Sequence, residues 1–277
     1  MIMYRGVFLP KVAYGVRIWS HALHTRTVVR KLGTLQRRAL IGITGAYRST
    51  STAALQVLAG IPPLDLELEW LAAREDAKHL PEGLSVETLR RASTKLLNAW
   101  QSRWSTSQKG RWTHECFPDI RHRLTLPIAL GHEIAQFLTG HGNFQSRLAE
   151  LGLRPTPHCS CGNGNEDVRH VLYDCTTHDA HRASLELAAN RAGFLWPTAM
   201  RDLVSRKDTY VALVRFAKRA KPRTCSDECQ GESWQKRFTC GAVLRGHSCV
   251  GDAGGADADN SGTRTTGGAV VVESLGE

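Results

Sequence analysis

The segment CSCGNGNEDVRHVLYDC, residues 159–175, sets Cys159, Cys161, His170 and Cys175 in a Cys-x-Cys-x8-His-x4-Cys pattern. Three thiolates and one imidazole are the donor set of a closed tetrahedral zinc site. Four protein ligands leave no coordination position for a substrate, so the pattern predicts a structural knuckle and not a catalytic metal. Gly162, Asn163, Gly164 and Asn165 suit a tight turn between the first two donors and the last two. Glu166 and Asp167 place negative charge where a short helix bearing His170 would begin. Cys175 lies five positions beyond His170, about 140° round a continuous helix. If both side chains reach one ion, the helix has to end before Cys175. The competing reading is a set of reduced, buried cysteines beside a chance histidine, because Cys-x-Cys is tighter than the usual Cys-x2-Cys.

Outward from this segment the sequence reads as helix. Residues 180–193 and 198–221 read as helical, and Pro222 ends the series. On the N-terminal side, residues 126–150 suggest a helix interrupted at Gly140-His141-Gly142. Residues 84–112 suggest another that frays toward its end. Trp100, Trp104 and Trp112 stand there among Arg103, Lys109 and Arg111. Interleaved aromatics and cations can stack on bases and pair with phosphates. Equally, Trp100 and Trp104, four apart, can form one buried helix face. Residues 25–44 carry Val28, Leu32, Leu35, Leu40 and Ile43 on one expected face, with Arg30, Lys31, Arg37 and Arg38 on others and Gly45 as a stop. Ser49, Thr50, Ser51 and Thr52 offer caps for a helix through Leu58, and Gly60, Pro62 and Pro63 break it. A third helix runs from Leu64 to His79 on Leu64, Leu68 and Leu71. Residues 7–23 read as a short strand or irregular segment followed by a helix from near Tyr14.

The charge is unevenly spread. Residues 1–64 hold nine Lys or Arg and no Asp or Glu. The whole chain has a formal net charge of +10, and a one-signed surplus of this kind favours a polyanion partner over an ordinary solvated surface. Residues 224–277 are net acidic and glycine-rich, a composition that reads as a disordered tail. Cys225, Cys229, Cys240, His247 and Cys249 within it fit no metal spacing. Met1 to Val16 contains Arg5 and Lys11 and lacks the apolar core of a signal peptide, and no apolar run is long enough for a membrane span. A reducing compartment is expected, where clustered Cys and His bind metal more often than they form disulfides.

Catalytic signatures are missing. The chain has no Asp-Asp pair to hold two metal ions. Pro118-Asp119 lacks the acidic and lysine partner of a nuclease site. His132-Glu133 starts a His-Glu-x-x-His pattern, but Gln136 stands where the second histidine should be.

Several of these segments resemble one family in order. The cysteine-histidine pattern followed by Arg182 resembles the motif near the C-terminus of non-LTR (LINE-like) retrotransposon polyproteins, and in particular those of arthropod ribosomal-DNA-inserting type-1 elements. Val7–Leu23 resembles the segment after the palm of their reverse transcriptases, and Leu32–Leu66 resembles the thumb. Trp100–Asp119 and Phe137–Leu148 resemble the stretch before the cysteine motif, and Val211–Arg223 resembles the stretch after it. The resemblance implies a mainly α fold in four parts: a thumb-like helical bundle over 1–80, a helical connector over 81–150, a Cys-Cys-His-Cys zinc knuckle with flanking helices over 151–223, and the tail over 224–277.

The resemblance further implies RNA-directed DNA polymerase and endonuclease as activities of the full polyprotein, with magnesium as the polymerase metal. The aspartate pair of the palm and the endonuclease would lie outside this chain. Structural zinc at Cys159, Cys161, His170 and Cys175, phosphate contact by Arg30, Lys31, Arg37 and Arg38, element RNA and target DNA as partners, no membrane, and an intracellular, nuclear location complete the expectation. The alternatives are a stand-alone zinc-knuckle protein that binds nucleic acid without enzymatic activity, and a protein-interaction module braced by zinc.

Overall fold

The computed structural model describes residues 1–79 and 85–220. The tail over 224–277, with Cys225, Cys229, Cys240, His247 and Cys249, and the expected stop at Pro222 lie outside the described residues. Regular structure among the described residues is helical, with one isolated bridge between His158 and Asn165. No helix among them is long and apolar enough to cross a membrane.

The α-helices in chain order are α1 (Leu9–Val12), α2 (Val16–Trp19), α3 (Arg26–Thr44), α4 (Thr52–Ala59), α5 (Leu64–Ala77), α6 (Val86–Thr106), α7 (Arg111–Cys116), α8 (Ile120–Thr125), α9 (His132–Thr139), α10 (Gln145–Glu150), α11 (Asp179–Arg191), α12 (Met200–Ser205) and α13 (Lys207–Arg219). The short strand or irregular segment expected from residue 7 is instead a π-helical turn over Tyr4–Phe8 that runs into α1. Pro10 lies just after this turn, inside the continuous helical run, where its missing N–H leaves one helical carbonyl without a donor. The helix expected from Tyr14 is the four-residue α2, followed by a 3-10 turn over Ser20–His24.

α3 ends at Gly45 in the left-handed conformation, as its sequence signals. Its buried stripe differs by one position from the expected one. Leu32, Gln36, Leu40 and Thr44, each four apart, face inward, while Leu35 is 43% exposed. The apolar count pointed to Leu35, but Gln36 is the residue whose polar groups find partners inside. Its Nε2 donates to the Pro62 carbonyl (2.7 Å) and to the Tyr4 hydroxyl (2.9 Å). Its Oε1 accepts from Gln56 Nε2 (2.8 Å) and from the Leu64 N–H (3.2 Å). A buried amide with both donors and its acceptor matched ties the N-terminal turn, α3, α4 and the start of α5 together.

Ser51 caps α4 by accepting the Ala54 N–H, and Ser85 caps α6 by accepting the Thr88 N–H. Beyond α6, the expected fraying is a turn followed by α7. Residues 126–131 are not helical, so only α9 and α10 remain of the expected 126–150 helix. The expected helix 198–221 is split at Arg206, whose backbone is extended. Leu203 and Tyr210 are seven apart, so the apolar period runs in phase through the break and hides it. The largest apolar cluster draws on α4, α6 to α9, the turn after His170 and α11 to α13, and includes Leu58, Trp104, Phe137, Leu172, Leu185 and Phe216. It crosses the expected boundaries near residues 80 and 150. Two smaller clusters, around Leu40 and Leu55 and around Leu32 and Leu68, hold α1 to α5.

Candidate metal centre and basic face

The knuckle begins as a tight hairpin. The Cys159 N–H donates to the Gly164 carbonyl (2.9 Å), the Glu166 N–H to the Pro157 carbonyl (2.9 Å), and the Gly162 N–H back to the Cys159 carbonyl (3.1 Å). Gly162 and Gly164 have φ of 82° and 90°, in the region that favours glycine, which is why the loop is built of Gly and Asn. Asp167 then caps the next turn, its Oδ1 accepting the His170 N–H at 2.8 Å. From His170 to Asp174 the turn is π-helical, closed by the Cys175 N–H donating to the His170 carbonyl at 2.8 Å. The wider π turn and the extended backbone at Cys175 together replace the continuous helix that would have driven the two side chains apart.

The four donor atoms converge. Cys159 Sγ, Cys161 Sγ, the His170 ring and Cys175 Sγ lie within 4.8 Å of one another. Cys159 Sγ and Cys175 Sγ are 3.6 Å apart, and Cys161 Sγ is 3.2 Å from His170 Nε2. Thiolates about 2.3 Å from a tetrahedral zinc would stand about 3.8 Å from each other, so the donors fit that ion. A disulfide needs sulfur atoms about 2.05 Å apart, and both cysteines are free thiols. The Asn163 N–H donates to Cys161 Sγ at 3.4 Å and draws that thiol down to about 7. Burial pushes Cys159 the other way, up to about 12. A bound divalent cation would supply the charge that keeps both deprotonated and would crosslink the hairpin to the His170 turn.

The centre is fastened on two sides. The Ser146 N–H at the start of α10 donates to the Glu166 carbonyl (3.0 Å). On the other side Arg182, buried in α11, donates through Nε to the Leu172 carbonyl (2.9 Å) and through Nη2 to the Cys175 carbonyl (2.6 Å), and its Nη1 pairs with Asp179. Sequence reasoning noted Arg182 only as part of a resemblance. The signal available was its place on the buried stripe of α11 with Leu185 and Ala189, where a cation needs partners.

The cations of α3 divide. Arg30, Lys31 and Arg38 are exposed, and no ion pair engages them among the described residues. Arg37 is half-buried and committed: Nη1 donates to Thr52 Oγ1 (3.1 Å) and Nη2 to the Arg48 carbonyl. The tryptophans settle between their two readings as core. Trp100 and Trp104 are 2% and 1% exposed, and Trp104 Nε1 donates to the Phe117 carbonyl (2.7 Å). Trp112 donates to the Phe137 carbonyl (2.6 Å) and carries the Arg169 guanidinium 4.8 Å from its ring centre. Asp119 of the Pro-Asp pair is an N-cap, accepting the His122 N–H at 2.9 Å. His132 approaches the Gly45 carbonyl through Nδ1 (2.8 Å), and Gln136 accepts the Asn143 N–H (3.0 Å), so both residues of the failed zincin pattern hold loops.

Comparison with known proteins gives one consistent group. The chain is 34% identical over 193 residues to a retrovirus-related Pol polyprotein from type-1 retrotransposable element R1 of Bradysia coprophila, covering 64% of this chain and 19% of that protein. It is 33% identical over 232 residues to the corresponding R1 4 polyprotein of Nasonia vitripennis, covering 78% and 58%. It is 31% identical over 210 residues to a putative 115 kDa protein in type-1 retrotransposable element R1DM of Drosophila melanogaster, covering 70% and 21%. The chain thus spans between about a fifth and three fifths of the length of these relatives. No family model and no solved structure matches it.

Proposed function

Given that the chain belongs to the Pol polyproteins of arthropod type-1 (R1) retrotransposable elements, we propose that it is a nucleic-acid-binding part of such a polyprotein. In this reading α3 to α5 grip a template–primer duplex as a polymerase thumb does, and the knuckle is a zinc-braced second contact. The whole polyprotein would be an RNA-directed DNA polymerase with an endonuclease, using magnesium and working in the nucleus on element RNA and target DNA. The chain itself would contribute binding and no catalysis, because it has no Asp-Asp pair.

The observation that carries the reading is the outer face of α3. Arg30, Lys31 and Arg38 are exposed, with no ion pair among the described residues, on a helix within an acid-free stretch of 64 residues. Cations so placed displace condensed counterions from a phosphate backbone and give affinity without base readout. Arg37 falls in the bracing role. The test is a filter-binding titration at several salt concentrations with unrelated duplexes. Replacing Arg30, Lys31 and Arg38 together by Ala should flatten the salt slope by about two to three units, at about 0.9 per phosphate contact. An unchanged slope overturns the contact face, and salt-independent binding favours the protein-interaction reading.

A further inference from the structure

We propose that Arg182 is the positioning residue of the metal centre: it holds the Cys175 leg in the ligating geometry without touching the metal. This rests on reading Cys159, Cys161, His170 and Cys175 as ligands. Two of these, His170 and Cys175, lie on a π turn of five residues and its C-cap. Such a turn ends with carbonyls short of intrahelical partners, although the Cys175 carbonyl also accepts the His178 N–H at 3.2 Å. Those of Val171, Leu172 and Cys175 all point to one group, the Arg182 guanidinium, at 3.4, 2.9 and 2.6 Å. Its Nη1 pairs with Asp179 at the start of α11, so Nε, Nη1 and Nη2 all have acceptors.

Few side chains could do this. Arginine is a flat fork with five donors in fixed directions, whereas lysine offers a single rotatable point charge. Arg182 is only 5% exposed, so the carbonyls it meets are also largely out of reach of water. Its removal takes that donor from the Val171 and Leu172 carbonyls and leaves the Cys175 carbonyl only the His178 N–H at 3.2 Å, so the extended backbone at Cys175 (ψ 118°) loses its shortest anchor. The other legs are set independently. Cys159 and Cys161 are placed by the hairpin bonds to Gly164 and Pro157, and His170 by the Asp167 cap. Loss of Arg182 therefore acts on one ligand of four, which predicts a weakened centre and not an abolished one. Groups that orient metal ligands from outside the coordination sphere typically contribute 10–100-fold in affinity.

The experiment measures zinc affinity of the full chain in reducing buffer by competition with a chromogenic chelator. It also records the visible spectrum of the cobalt(II)-loaded protein as a report on tetrahedral thiolate geometry. Wild type, Arg182→Met, Arg182→Lys and Arg123→Met are compared. Arg123 is a control of the same kind, a buried arginine that donates to the Leu58 and Leu126 carbonyls and to nothing in the knuckle. Arg182→Met should bind zinc 10–100-fold more weakly with a weakened cobalt spectrum, Arg182→Lys should fall between, and Arg123→Met should keep wild-type affinity even if it melts earlier. Wild-type affinity in Arg182→Met overturns the proposal, as does an equal loss in Arg123→Met. If Arg182→Met does not fold, Arg182→Lys decides, and a wild-type affinity there overturns it. Absence of zinc binding in the wild type overturns the ligand reading itself.

Discussion

Two buried polar residues organise two parts of this molecule in different ways. Around Gln36, amide groups meet amide groups, and Leu40, Leu55, Ile61, Leu64 and Leu68 pack about them. Around Arg182, a guanidinium gathers the carbonyls of one turn, and beyond that turn stands a loop, residues 160–165, with no large apolar side chain to bury. The first part closes through burial and matched hydrogen bonds. The second brings three thiols and an imidazole within 4.8 Å, and the loop between them is held by hairpin hydrogen bonds without large apolar side chains of its own. Cohesion by packing and cohesion by ligation should respond to different insults.

Metal removal should separate the two parts most sharply. Structural zinc contributes about 10–16 kcal/mol in small zinc-finger peptides, far more than any one side-chain contact. Chelator should strip amide-exchange protection from residues 158–178 and leave α3 to α5 protected. Cys161→Ser should do the same without chelator. Equal loss of protection in both parts, or in neither, breaks the comparison.

Gln36→Leu is the converse. It strands the Pro62 carbonyl, the Leu64 N–H and the Gln56 amide inside, at about 1–3 kcal/mol for each group left unmatched, partly offset by added apolar contact. A net loss of about 2–4 kcal/mol in urea melts, with zinc content unchanged, is expected. A third effect is smaller. Trp104→Phe removes one donor to the buried Phe117 carbonyl and should cost about 1–3 kcal/mol of stability. Its affinity for single strands should not move. A base-stacking tryptophan, by contrast, loses about 1–3 kcal/mol of binding on replacement by alanine, and Trp104→Ala should show no such loss beyond its effect on folding.

The legibility of the sequence divides along the same line. The knuckle was readable because ligand chemistry constrains residue type and spacing together, and even the end of the helix before Cys175 could be inferred from helical angles. Gly45, Ser51 and Gly60 marked real ends because caps act locally. The split at Arg206 was hidden because the apolar period stays in phase across it. Gln36 and Arg182 were missed because their roles depend on carbonyls brought from elsewhere, which no local pattern encodes. Asp119 of the Pro-Asp pair caps α8 and His132 meets the Gly45 carbonyl, local structural uses that fit the missing catalytic partners already noted in the sequence.

The smallest effect concerns two neighbours on α3. Arg37 and Arg38 are adjacent and chemically identical, yet one holds Thr52 and the Arg48 carbonyl and the other faces solvent. Arg38→Ala should flatten the salt slope of duplex binding by about 0.9 and leave the melting temperature within the range of an ordinary surface change, about 0.5 kcal/mol. Arg37→Ala should lose its two loop contacts, about 0.5–1.5 kcal/mol each at most, and keep the slope. The pair is its own control, since both variants remove the same charge from the same helix. If long-range field alone drew the polyanion in, both slopes would fall together and only the stabilities would differ. That outcome would leave Arg37 as a brace and deny Arg38 a direct phosphate contact.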